Sequence, residues 1–170
     1  RRVPHPVLIA TPSAPRPTPH APRPGGAPRL KFEAEATAHL ADTGVPLTDD
    51  SPKYAPEPLA AKVVAILTAS AGFVASTAGA PADGASVGVI LDRTPFYAEA
   101  GGQVSDTGEL VPASGGGAPL AVADVISAAG YVLHVIHPAG AGASDDGGAA
   151  ADVDGPPFPP LAVGDAVTAT

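Results

Sequence analysis

The chain has 170 residues, no cysteine, no methionine, 20 glycines, 22 prolines and a net charge of −8. Without cysteine there are no disulfides, no thiolate chemistry and no sulfur ligands for a structural zinc site. Three bases against 17 acids from Phe32 onward disfavour a phosphate-gripping surface, and no apolar run approaches the roughly 20 residues of a membrane span.

The missing methionine leads us to expect a fragment or a processed product. Residues 1–31 carry six of the nine bases, no acid and nine prolines. That composition is transit-peptide-like, but proline removes backbone donors and favours extended chain, so the segment reads as a disordered tail. Residues 32–54 follow as a helix and connector. Phe32, Ala36 and Leu40 share one face at four-residue spacing over 32–43. Gly44 and Pro46 then stop the helix. Residues 48–54 are polar and turn-rich, and Asp49-Asp50 there suits a cap or turn rather than catalysis.

From 55 to 170 the pattern is that of short strands. Runs rich in β-branched residues fall at 62–68, from 73, at 87–91, 109–112, 120–127 and 131–137, and finally at 161–169, with a turn at Gly164-Asp165. Ala129-Gly130 reads as a hairpin tip. Residues 114–117 and 139–160, rich in Gly, Ala, Asp and Pro, read as exposed loops, the second as disordered. The class is mainly β: a small barrel preceded by a short helix.

The most informative stretch, residues 87–110, is VGVILDRTPFYAEAGGQVSDTGEL. Asp92-Arg93-Thr94-Pro95 ends a buried strand, because Pro95 cannot donate to a ladder. Phe96 and Tyr97 anchor the loop that follows. Gly101-Gly102 permit backbone angles closed to other residues, Gln103 offers a donor and an acceptor, and Asp106-Thr107-Gly108 reads as a tight turn. This stretch resembles the signature of the β-barrel domain of alanyl-tRNA synthetases, a module that also opens freestanding alanyl-tRNA editing proteins. Upstream, ATAHLADTGVPLTDDSPKY resembles the helix and connector of the synthetases, which the freestanding editors lack. Downstream, GYVLHVIHPAG and LAVGDAVTA resemble the barrel's closing strands. Ala100, Ser105 and the long 139–160 insertion depart from the family pattern, and the proline-rich start does not resemble it.

The resemblance implies an elongation-factor-like barrel between the aminoacylation and editing parts of an alanine–tRNA ligase. Such an enzyme attaches alanine to tRNA(Ala) using ATP and hydrolyses mischarged tRNA. It implies ATP, Mg and Zn for the intact enzyme and none for this piece, and tRNA(Ala) as partner through the intact enzyme. It implies a cytoplasmic setting, with mitochondria or plastids compatible, and no membrane. Thr94, Phe96, Tyr97, Glu99, Gly101, Gly102, Gln103, Asp106 and Gly108 become the residues expected beside the editing pocket, and Gly102→Val is expected to weaken editing.

Other constellations carry less. Arg93 is the one arginine after the tail, too few for an ATP site that clamps phosphates. The family's editing chemistry needs a His-x-x-x-His pair with later Cys and His ligands. His134 and His137, three apart on a strand, point to opposite faces, which leaves catalytic and metal sites empty in this piece. Gly101-Gly102-Gln103 is also the hydrolysis tripeptide of release factors, but its flanks fit the synthetase barrel. Asp145, Asp146, Asp152 and Asp154 lack the terminal glutamate of a calcium loop. Asp92 and Glu99 could serve as an acid–base pair but read as exposed loop charges. Two alternatives stay open: a freestanding editing hydrolase, and a non-enzymatic barrel that binds RNA or protein.

Overall fold

The structure, a computed structural model, describes residues 30–54, 57–79, 86–99, 104–114, 117–137 and 158–170. Its helix, α1 (Ala34–Asp42), begins two residues after Phe32. It ends as the pattern suggests, on Gly44 at φ 74°. The Gly44 amide donates to Ala41 (3.1 Å) and the Val45 amide to Leu40 (2.9 Å), satisfying two carbonyls that the helix end leaves over. Phe32, Leu40, Ala36 and Val45 lie against Leu67, Ile90, Leu133 and Tyr131, so the helix covers the outside of the sheet. Leu30, placed in the tail by the sequence pattern, packs there too.

Seven strands follow: β1 (Leu59–Thr68), β2 (Gly72–Val74), β3 (Val87–Leu91), β4 (Gly108–Pro112), β5 (Leu120–Ala128), β6 (Tyr131–Ile136) and β7 (Ala166–Ala169). All their pairings are antiparallel, in the order β1-β3-β6-β5-β4-β7, and β7 returns to β1. The result is a closed six-stranded barrel, with β2 a short flap on β1. Closure removes the free edges on which an open sheet would aggregate. β1 makes closure possible by bending at a register shift between Val63 and Ala65. Before the bend Leu59–Lys62 pairs with β7; beyond it, residues 66–68 pair with β2.

Side chains alternate between two apolar layers. Val63, Val89, Leu91, Leu110, Val122, Val125, Val132, Ile136 and Val167 fill the interior. Ile90, Leu133 and Val135 point outward, beneath α1. Double coverage explains why β3 and β6 are buried at every position and read as continuous apolar runs.

Four sequence expectations shift. β1 starts at Leu59, not Lys62. The last strand holds only Ala166–Ala169, while Ala162 makes a single bridge to Ser76 and Gly164 turns at φ 100°. Phe158, inside the stretch read as an exposed loop, is buried in the interior, because a large ring gains more from the core than from water; residues 138–157 lie outside the described ones. The connector is not a passive turn. The Thr48 hydroxyl donates to Leu91 O (2.9 Å) and accepts from the Val132 amide (3.2 Å), the Asp49 amide donates to Asp92 O (2.8 Å), and a 3-10 turn covers Ser51–Tyr54. The Ser51 hydroxyl and amide on the Asp49 carboxylate hold its pKa below the usual value. No helix among the described residues is long and apolar enough to cross a membrane.

Candidate functional site

The site begins where β3 ends. Asp92 takes the strand's last bonds: its carboxylate accepts from the Lys62 amide (2.7 Å) and its amide donates to Lys62 O (2.9 Å). Residues 93–99 and 104–107, the described arms of the loop between β3 and β4, follow. The first arm is fastened at Thr94, which is fully buried. The Thr94 amide donates to Asp49 O (3.0 Å), its hydroxyl lies 2.7 Å from His134 Nε2, and the Phe96 amide donates to that hydroxyl (3.1 Å). Phe96 enters the core and sets its ring edge-on to His134, with centroids 5.4 Å apart.

The two arms are tied to each other at Tyr97 and Asp106. The Tyr97 amide donates to the Asp106 carboxylate (2.8 Å), and the Asp106 amide donates to Tyr97 O (3.0 Å). Residues 106–108 therefore make no turn, contrary to the sequence expectation, because Asp106 is engaged across the loop. Both arms also meet β5 beside its register shift between Val122 and Asp124. The Glu99 amide donates to Val125 O (3.2 Å), and the Ser105 hydroxyl donates to the Asp124 carboxylate (2.7 Å). Gly101, Gly102 and Gln103 lie outside the described residues, between these two footings.

Gly108 opens β4, and its role is space rather than turn geometry. A Cβ there would fall on the Thr170 carbonyl oxygen and 2.6 Å from the Phe96 ring. Thr94, Phe96, Tyr97, Glu99, Asp106 and Gly108 thus share one loop base. Tyr97 is half-buried, while Glu99 and Asp106 are exposed. Asp92 and Glu99 stand at opposite ends of the first arm, Asp92 engaged through its carboxylate and its amide and Glu99 through its amide.

The sequence marks His134 only as a strand residue. It is the interior's buried base, held by Val89 O at 2.9 Å from Nδ1. Its alternation with Val132 and Ile136 could have placed it inward; nothing local names Thr94 as its partner. Burial pushes its pKa down to about 4, partly opposed by the bond to Val89. A carbonyl only accepts, so Nδ1 carries the proton and Nε2 is left as an acceptor. The ring is neutral and both nitrogens are engaged. His137 is exposed and meets Ser86 through Nδ1 (2.7 Å).

Among the described residues no three His, Asp or Glu side chains converge as metal ligands. An open groove of about 290 Å³ beneath the loop is lined by Lys53, Pro95, Phe96, Asp106, Thr107 and Thr170, among others. Lys53 there is paired with Asp50 (2.8 Å). The described arms of the loop are braced against each other and against β5.

Comparison with known proteins points in one direction. The family described as tRNA synthetases class II (A) matches residues 25–149. The chain is 41% identical over 118 residues to the cytoplasmic alanine–tRNA ligase of Bombyx mori, covering 62% of this chain and 12% of that protein. Against the mitochondrial alanine–tRNA ligase of Homo sapiens it is 38% identical over 115 residues, 62% of this chain and 11% of that one. Against the alanine–tRNA ligase of Bifidobacterium longum it is 52% identical over 65 residues, 38% and 7% respectively. The chain therefore spans only 7–12% of the length of these relatives.

Proposed function

The chain belongs to the family of tRNA synthetases class II (A), and from that membership we propose that it is the barrel segment of an alanine–tRNA ligase. The whole enzyme would attach alanine to tRNA(Ala) with ATP and clear mischarged tRNA. The role of this segment is to hold the loop of residues 97–103 against the editing pocket. The observation that carries the reading is the reciprocal pairing of Tyr97 with Asp106. It sets the separation and direction of the two arms flanking Gly101-Gly102-Gln103, on a closed barrel that has little freedom to deform.

On this reading ATP, Mg and Zn are bound by other parts of the enzyme, and tRNA(Ala) is the partner of the whole protein. The setting is translation in the cytoplasm or an organelle; the relatives include cytoplasmic and mitochondrial ligases.

Asp106→Ala in the complete ligase tests the role. Asp106 is exposed, and losing a surface hydrogen bond costs only about 1 kcal/mol of stability, so the barrel stays folded. Hydrolysis of seryl-tRNA(Ala) is expected to slow by about tenfold or more, since misplacing a positioned group by an ångström can cost on the order of a hundredfold, with alanylation unchanged. Unimpaired hydrolysis would refute the role.

A further inference from the structure

We propose that His134 is a positioning residue: from inside the barrel its Nε2 lone pair holds the Thr94 hydroxyl and, through it, the Phe96 amide, setting the direction in which the loop's first arm leaves β3. The inference rests on the reading of that loop as support for editing.

Donor and acceptor arithmetic leaves the chain of bonds a single direction. Val89 O accepts from His134 Nδ1. Nε2 then has only a lone pair, so the Thr94 hydroxyl must donate its proton there. The oxygen of Thr94 is left to accept from the Phe96 amide. His134 Nδ1, the Thr94 hydroxyl and the Phe96 amide thus each donate to one acceptor in the series. The neighbours of His134 on the same face, Val132 and Ile136, are apolar. A leucine would fill the volume without the cost of burying an imidazole, which is several kcal/mol unless its nitrogens are bonded. What the imidazole adds is reach. It carries an acceptor from β6 to a residue 40 positions earlier in the chain, at the point where the strand becomes loop. The edge-on contact with Phe96 secures the next residue but one. Because burial keeps the ring neutral, the acceptor is present throughout the physiological pH range.

The test uses the complete ligase with His134→Leu, His134→Gln, Thr94→Val and the Leu/Val double variant. Single-turnover and steady-state hydrolysis of seryl-tRNA(Ala) are measured beside alanylation. His134→Leu and Thr94→Val are each expected to lower kcat for hydrolysis by about tenfold, with KM and alanylation within about twofold. The double variant should be no slower than the slower single, since both cut the same bond. His134→Gln, whose side-chain oxygen can accept from Thr94, should restore most of the rate. A His134→Leu enzyme that hydrolyses normally overturns the inference. So do losses that multiply in the double variant, or a Gln variant as slow as the Leu variant, which would mark His134 as core filling. Asp106→Ala in the same assay separates the two levels. If it is slow while His134→Leu is normal, only the role of His134 falls; if it has no effect, the loop reading and this inference fall together.

Discussion

At the scale of single residues, the loop base is made of contacts with little tolerance. Gly108 leaves room for the Phe96 ring and the Thr170 carbonyl. Gly108→Ala is expected to destabilise the chain by at least about 1–3 kcal/mol, the usual cost of overpacking, seen as a lower thermal midpoint; an unchanged midpoint would show that the strand end yields. His134 links the fold to pH. Its folded pKa of about 4 lies below the ordinary 6.5, so the folded state binds fewer protons between those values. The stability it contributes is full above the unfolded pKa and is lost as pH falls from about 6.5 to 4, on the order of 3 kcal/mol. Urea unfolding at pH 7 and pH 4 checks this. His134→Gln should narrow the difference between the two, and an equal difference would contradict it. The sequence marks Phe96 as an anchor and His134 only as a strand residue. The Thr94–His134 bond was not legible, because it joins residues 40 apart by a fit that only the closed barrel creates.

Elements were legible to the degree that their bonds are local. The end of α1 follows from Gly44, whose positive φ the last turn requires. The β5–β6 hairpin follows from Ala129-Gly130, with φ values of 51° and 84°. Alanine is a poor occupant of the first position, where a side chain in left-handed geometry costs about 1–2 kcal/mol and asparagine is better tolerated. Ala129→Asn should therefore raise stability by about 0.5–1 kcal/mol, a gain of a few degrees in Tm; a fall in Tm would mean the tip is set by Leu47, which lies over Gly130. The connector was harder to see. The Thr48 hydroxyl and the Asp49 amide stitch the ends of β3 and β6 by bonding to backbone groups more than 40 positions away, and neither a threonine nor an amide names so distant a partner. Asp106 misled for the related reason that Asp-Thr-Gly suits a local turn, whereas its carboxylate is spent on Tyr97.

For the whole molecule, a barrel could be read from repeated short apolar runs, but its closure could not. The alanine-rich residues at the start of β1, which the sequence pattern omits, are the ones that meet β7 more than 100 positions later. Alanine carries little strand signal, so the seam was the least visible part of the fold. The charge distribution bears on partners: with 17 acids and three bases from Phe32 onward, this chain alone is expected to bind tRNA with a Kd weaker than about 0.1 mM at physiological salt. Fluorescence anisotropy checks that, and tight, salt-sensitive binding would assign the segment a direct grip on tRNA.

On the proposed function, the barrel serves proofreading by holding its braced loop in place. The most direct measurement is the accumulation of seryl-tRNA(Ala) when the complete ligase is supplied with serine, ATP and tRNA(Ala). The Asp106→Ala enzyme is expected to accumulate it while the parent enzyme does not, at equal rates of alanylation. No accumulation by the variant would contradict the account.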